Sequence, residues 1–303
     1  MSHGDLKGVV AAAITPLDAD FEVDVPRLAR HVARVLGVGC SFVSTFGTTG
    51  EGVSLSTRQK VAALTALRDE GAAMDRQIPA VMTPTLDDAA AMLKAIADLG
   101  CRGALVLPPF YYQASEEGIA AFIEAMVERA RHPDLDLLLY NIPQLSRVPY
   151  TPALIERLIG RFGSRIVGIK DSTGDLENGL MLAGTFPQLS VFTGDDRVLA
   201  PLLNGGGAGM IGGMPNLFAR DLVAIYDAPD GEGTARRVER QARRIEAVEA
   251  YRSQVALKSA LAHYVGDEEL ARMVPPQLAL TPEERQNLLA AFQATDFVFD
   301  ETP

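Results

Sequence analysis

Eight short apolar runs, each followed by a stretch of helical spacing, constrain this chain more than anything else in it. The runs are GVVAAAITP at 8–16, CSFVSTF at 40–46, IPAVMTP at 78–84, RGALVLPP at 102–109, LDLLLYNIP at 135–143, RIVGIKDST at 165–173, LSVFTGDD at 189–196 and AGMIGGMPN at 208–216. They are almost continuously apolar rather than alternating, as strands buried on both faces of a parallel sheet must be. Helical spacing is expected near 24–37, 56–73, 86–99, 115–131, 151–161, 176–185, 196–204 and 216–227, with Ser56, Ser115 and Thr151 as starting residues. Eight βα units in about 220 residues fit an α/β fold of (β/α)8 TIM-barrel type. An open doubly wound sheet is the competing arrangement, but it normally uses fewer strands per domain.

The pattern changes at DAPDGEGT, which reads as a turn-rich linker. The barrel domain is therefore placed at 1–228. A C-terminal helical extension, 229–303, follows and packs on the barrel or on a neighbouring subunit. Its helices are expected near 232–264, 267–273 and 282–294, and its last residues, FVFDETP, as a loosely held end.

A net charge of −11 argues against nucleic acid, which needs a concentrated basic face. The one basic cluster, Arg236, Arg237, Arg240, Arg243 and Arg244, is interleaved with glutamates and reads as a solvated, salt-bridged helix face. The two cysteines, Cys40 and Cys101, open apolar runs and suggest buried thiols rather than a disulfide framework. MSHGDLKG lacks an apolar signal core, and no apolar stretch reaches the length of a membrane span, so a cytoplasmic enzyme is expected.

In a barrel the polar residues that close the strands face the site. Lys170 is the one lysine of five that ends an apolar run, Ile166-Val167-Gly168-Ile169-Lys170. Burial there disfavours the ammonium form, and a neutral amine can attack a carbonyl. The alternative is a lysine paired with a carboxylate for structure. Tyr140, ending Leu137-Leu138-Leu139-Tyr140, can relay protons or simply be a core tyrosine with a satisfied hydroxyl. Gly47-Thr48-Thr49-Gly50-Glu51 can hold a carboxylate with hydroxyls and backbone N–H groups, or be a plain turn. Pro108-Pro109-Phe110-Tyr111-Tyr112 is an aromatic loop of either packing or functional use. Gly207 to Gly212 spells a dinucleotide fingerprint but leads into a strand rather than out of one, which excludes it. The four histidines show no metal-ligand spacing.

Taken together, GTTGE at 47–51, PPFYY at 108–112, YNIP at 140–143, GIKDSTGD at 168–175 and TGDD at 193–196 resemble the dihydrodipicolinate synthase and N-acetylneuraminate lyase family over about residues 5–230. The resemblance implies a metal-free and cofactor-free enzyme, usually tetrameric, that joins a lysine to pyruvate or another 2-keto acid as a Schiff base. It makes Lys170 that lysine, Tyr140 the general acid/base and Thr48 part of the proton relay. Thr49, beside Gly47, holds the keto-acid carboxylate. Tyr111 matches the tyrosine lent by a neighbouring subunit, and Gly194 and Ile211 line the pocket. Two departures bear on the aldehyde partner. Leu145 stands where the synthases carry an arginine, with Arg147 two positions on as a substitute. Arg197 and Gly213 stand where the lyase has a glutamate and a serine. Ser172, on the strand face of Lys170, is expected to contact a substrate hydroxyl. The reading implied is a lyase acting on pyruvate and an aldehyde, with a 2-keto-3-deoxy sugar acid as the combined substrate. The synthase, a Schiff-base dehydratase and a non-catalytic keto-acid-binding barrel are the alternatives.

Overall fold

The computed structural model describes residues 6–132 and 134–299. In chain order its elements are β1 (Gly8–Ala12), α1 (Val25–Gly37), β2 (Phe42–Ser44), α2 (Thr57–Asp69), β3 (Ala80–Val81), α3 (Leu86–Asp98), β4 (Ala104–Val106), α4 (Glu116–Ala130), β5 (Leu137–Asn141) and α5 (Pro143–Ser146). They continue with α6 (Pro152–Phe162), β6 (Ile166–Asp171), α7 (Leu176–Thr185), β7 (Ser190–Thr193), α8 (Leu199–Asn204), β8 (Gly209–Gly212), α9 (Pro215–Asp227), α10 (Thr234–Glu249), α11 (Ser253–Val265) and α12 (Pro282–Gln293).

Each of the eight apolar runs contains one strand. All pair in parallel in the order β2-β1-β8-β7-β6-β5-β4-β3. The ring closes between β2 and β3, where Ile78 N–H donates to the Val43 carbonyl at 2.8 Å and Ala80 N–H to Thr45 at 2.9 Å. The (β/α)8 barrel inferred from the sequence is thus the observed fold. Its apolar residues divide into an inner and an outer set. Val10, Leu105, Leu138, Tyr140 and Phe192 fill the barrel interior, while Leu137, Leu139 and Ile169 face the surrounding helices. Ser56, Ser115 and Thr151 cap α2, α4 and α6 as expected, each accepting a backbone N–H from the helix.

One irregularity aims the site. Opposite Leu137 and Leu138, β6 pairs through Ile166 and Gly168, so Val167 is skipped in the register. Val167 points inward and Ile169 outward, which strict alternation forbids. The extra residue shifts the phase of the strand, so that Lys170 comes to face the interior beside Tyr140.

The C-terminal part departs from its expected outline. The stretch expected as one helix over 232–264 is two, α10 and α11, broken where Arg252 adopts extended geometry. No glycine or proline marks the break; packing of α11 back against the barrel overrides local propensity. The helix expected at 267–273 is a single 3₁₀ turn, Glu268–Ala271, started by the Asp267 side chain. Arg244 is not part of a solvated face. It is buried, ion-paired to Asp221 at 2.6 Å and set 4.6 Å over the Phe218 ring. Nor are Phe297 and Phe299 loosely held: they join Phe218, Phe292 and Tyr264 in an aromatic cluster with centroids 4.6–6.4 Å apart. The rest of the expected loose end, 300–303, lies outside the described residues, as does His3. No helix among the described residues is long and apolar enough to cross a membrane.

Candidate active site

Lys170 and Tyr140 are register partners at the carboxyl ends of β6 and β5. The Lys170 Nζ lies 4.2 Å from the Tyr140 ring centroid, and both residues are buried. The Tyr140 hydroxyl shares a 3.0 Å hydrogen bond with Thr48 Oγ1, from the turn after β2. Three strands thus bring an amine, a phenol and a hydroxyl together. On the opposite face of β6, Asp171 accepts from Asn141 Nδ2 (2.9 Å), Thr173 Oγ1 (2.9 Å) and Asn178 Nδ2 (2.8 Å). That network stitches the strand ends and fixes the backbone that carries Lys170.

The turn holding Thr48 and Thr49 is anchored from below. Gly47 is not in the cleft lining; its carbonyl closes the turn by accepting from Gly50 and Gly52. Lys60, buried in α2, donates to the Gly52 carbonyl at 3.0 Å. Glu51, at a left-handed φ of 55°, turns its carboxylate inward to Lys258 of α11 at 2.7 Å and to the Val274 N–H at 2.9 Å. Lys258 also donates to the Thr15 carbonyl at 2.8 Å. Desolvation pushes both lysines below the usual amine range, opposed at Lys258 by Glu51. The sequence reading missed this clasp, because its partners stand 207 positions apart.

Above the triad opens a cleft of about 380 Å3, lined by Thr48, Thr49, Tyr140, Lys170, Ser172 and Gly194 among others. A larger cavity of about 540 Å3 lies elsewhere, between α1 and α11, and contains none of these groups. The glycines at the cleft are there for close approach. A Cβ on Gly194 would stand 2.2 Å from Ser172 Oγ, and one on Gly213 would stand 2.9 Å from Thr49 Oγ1. The remaining expected positions are not brought to the cleft. Ile211 is fully buried in the barrel interior packed with Tyr140. Arg147, expected as a substitute for a clamp at Leu145, is exposed, ends α5 in left-handed geometry and is not among the residues lining the cleft. Tyr111 is 86% exposed, also with positive φ, is not among the residues lining its own chain's cleft, and sits edge-on to Tyr112.

The cleft also contains residues that sequence reasoning did not single out. Asp196, within the TGDD string, is buried with its carboxyl raised well above the usual range, first by burial and then by Asp195. Gln241 donates to it at 3.3 Å. Glu249 comes from the end of α10, and Ser253, Gln254 and Leu257 from α11, so the C-terminal extension builds one wall of the site. The doubled aspartate at the end of β7 was a usable signal for Asp196; nothing local marks the α10–α11 residues. Among the described residues no group of three or more His, Cys, Asp or Glu side chains could hold a metal.

Comparison with known proteins identifies the family and the fold. Residues 5–295 match the model of the dihydrodipicolinate synthetase family. The chain is 34% identical to a DapA-like lyase of Chloroflexus aurantiacus over 95% of this chain and 96% of that one. Dihydrodipicolinate synthase from Agrobacterium tumefaciens superimposes with a TM-score of 0.88 at 29% identity, covering 95% of this chain and 99% of the other. A variant of Sulfolobus solfataricus 2-keto-3-deoxygluconate aldolase shares the fold, with a TM-score of 0.84 at 23% identity over 95% and 96% of the two chains. With the strand order, the buried strand-end lysine and a match spanning nearly all of its length, the chain belongs to the dihydrodipicolinate synthetase family.

Proposed function

We propose that this lyase makes and breaks the carbon–carbon bond between pyruvate and an aldehyde, acting on a 2-keto-3-deoxy sugar acid through a Schiff base on Lys170. The carrying observation is the buried Lys170 amine beside the Tyr140 ring, with the Tyr140 hydroxyl bonded to Thr48. In the cleavage direction the neutral amine attacks the C2 carbonyl, and loss of water gives an iminium. The Tyr140–Thr48 pair takes the proton of the C4 hydroxyl. The C3–C4 electrons flow to the iminium nitrogen, the aldehyde departs, and an enamine remains. The proton returns to C3, and water adds to C2 to release pyruvate and the free amine. The lysine supplies the electron sink, so the reaction needs no cofactor. Thr49 and the turn N–H groups hold the keto-acid carboxylate. Ser172 meets a hydroxyl of the bound acid.

The dipicolinate-forming reaction is not favoured. Leu145 lines the cleft where a charge-assisted clamp for an aldehyde carboxylate is needed, and Arg147 stands outside it. In this reading the active unit is a tetramer, in which exposed Tyr111 completes the proton relay of a neighbouring subunit. A panel of 2-keto-3-deoxy acids assayed for released pyruvate tests the proposal. Cleavage of at least one member is expected. No cleavage of any member, together with ready condensation of pyruvate and aspartate semialdehyde, would sink it. A product with its carbon skeleton intact would instead identify a dehydratase.

A further inference from the structure

The outer half of the cleft carries a bound-up cation. Arg197, just after β7, lines the same cavity as Lys170. Its Nε donates to Asp195 Oδ1 at 2.9 Å and its Nη2 to Asp195 Oδ2 at 2.6 Å. From the other side, Nη1 and Nη2 donate to the two Glu249 carboxylate oxygens at 3.3 and 3.1 Å. Glu249 is the last residue of α10, so the pair bridges the barrel rim to the C-terminal helices across the cleft wall. Four donations leave one guanidinium N–H to spare out of five. Two carboxylates against one guanidinium give this end of the cleft a net negative charge. Asp196, buried in the same wall with its carboxyl raised above the usual range, adds hydrogen-bonding capacity, and Ser253, Gln254 and Gln144 contribute uncharged groups.

We infer that Glu249, acting through Arg197, is a specificity-determining residue that excludes aldehydes bearing a distal phosphate or carboxylate and leaves the site to neutral polyhydroxy aldehydes. An anionic tail approaching Arg197 meets a cation already held by two carboxylates and gains little. A chain of hydroxyls can instead donate to Asp195, Asp196 and Glu249 without displacing anything. Exclusion here is repulsive rather than steric, which is one of the two ways a site discriminates.

The inference rests on the proposed aldolase reading, and its test separates the two. Relative kcat/KM for condensation of pyruvate with D-glyceraldehyde and with D-glyceraldehyde 3-phosphate is measured for the natural protein, Glu249→Gln and Arg197→Gln. The natural protein is expected to favour glyceraldehyde. Glu249→Gln frees half of the guanidinium and should shift the ratio toward the phosphate by about 10-fold, the scale of one unit charge partly screened near the surface. Arg197→Gln leaves two carboxylates unopposed and should shift it the other way. Because each ratio compares two aldehydes on one variant, loss of overall activity does not obscure it; thermal melting checks that each variant is folded. A natural preference for the phosphate, use of neither aldehyde, or unchanged ratios in both folded variants overturns the inference. If borohydride traps no pyruvate on Lys170 of the natural protein, it is the aldolase reading that fails.

Discussion

Thr48 meets the triad through the 3.0 Å bond to the Tyr140 hydroxyl, and that bond gives it a role separable from binding. A valine at this position keeps the shape and removes the hydroxyl. Thr48→Val is expected to lower kcat for cleavage by about 10²–10³-fold, within the range of a lost proton-transfer group, while pyruvate still reduces onto Lys170. Steady-state kinetics beside adduct mapping checks it; a drop in adduct formation equal to the drop in kcat would mean that Thr48 serves binding rather than proton transfer. Lys170 and Tyr140 were legible in the sequence because each closes a run of apolar residues, where a polar side chain has to be explained. Arg147 is the converse case. Its position in the string suggested reach, but the short helix α5 intervenes and ends in a left-handed turn at Arg147 itself. Asp196 was visible only as half of a repeated aspartate; in the fold it is buried and accepts from Gln241 of α10.

Between elements, two junctions hold the site in place. Glu51 and Lys258 tie the Thr48–Thr49 turn to α11, with side chains 2% and 0% exposed. Removing one partner leaves the other as a buried uncompensated charge, so Glu51→Gln should cost about 3–5 kcal/mol in a denaturant titration. A loss below about 1 kcal/mol would place the pair with ordinary surface bridges. The second junction joins α1, α9 and β1. His31 Nε2 lies 2.7 Å from Asn216 Oδ1, which also accepts the Ile14 N–H at 3.0 Å. Asn216 Nδ2 donates to the Ala12 carbonyl at 2.8 Å. Burial, with Arg34 nearby, pushes the His31 imidazole down to about 3. Below the ordinary histidine range of about 6.5 the unfolded chain binds a proton that the folded one refuses. The contribution of His31 is therefore complete above that value and drains away as pH falls toward the folded one. Stability should fall with a slope of up to about 1.4 kcal/mol per unit between those limits, and His31→Gln should flatten it. Equal slopes in both proteins would show that other groups govern the acid limb. None of these junctions is readable from local pattern, since propensity and periodicity say nothing about which distant element a side chain meets. The skipped Val167 is hidden in the same way: the run RIVGIKDST looks like any buried strand, and only its neighbour's register shows the shift.

At the scale of the whole molecule, the barrel was legible because repetition made it so: eight runs of one kind cannot form a smaller closed sheet. The contribution of the C-terminal helices to the cleft was not, because it arises from packing and leaves no periodic trace. The exposure of Tyr111 belongs to this scale too. If it completes a neighbour's relay, mixing two inactive variants, Tyr111→Ala and Lys170→Ala, and allowing subunits to exchange should restore activity, because one kind of hybrid site holds both residues. No recovery after verified exchange would return Tyr111 to its own chain or to packing. The most direct test concerns the lysine itself. The protein is incubated with pyruvate, reduced with borohydride, digested and mapped by peptide mass spectrometry. A reduced pyruvyl group on Lys170, absent from Lys170→Ala, is the expected result. A folded protein with no adduct at Lys170, from pyruvate or from any 2-keto-3-deoxy acid tried in its place, would contradict Schiff-base chemistry at this site.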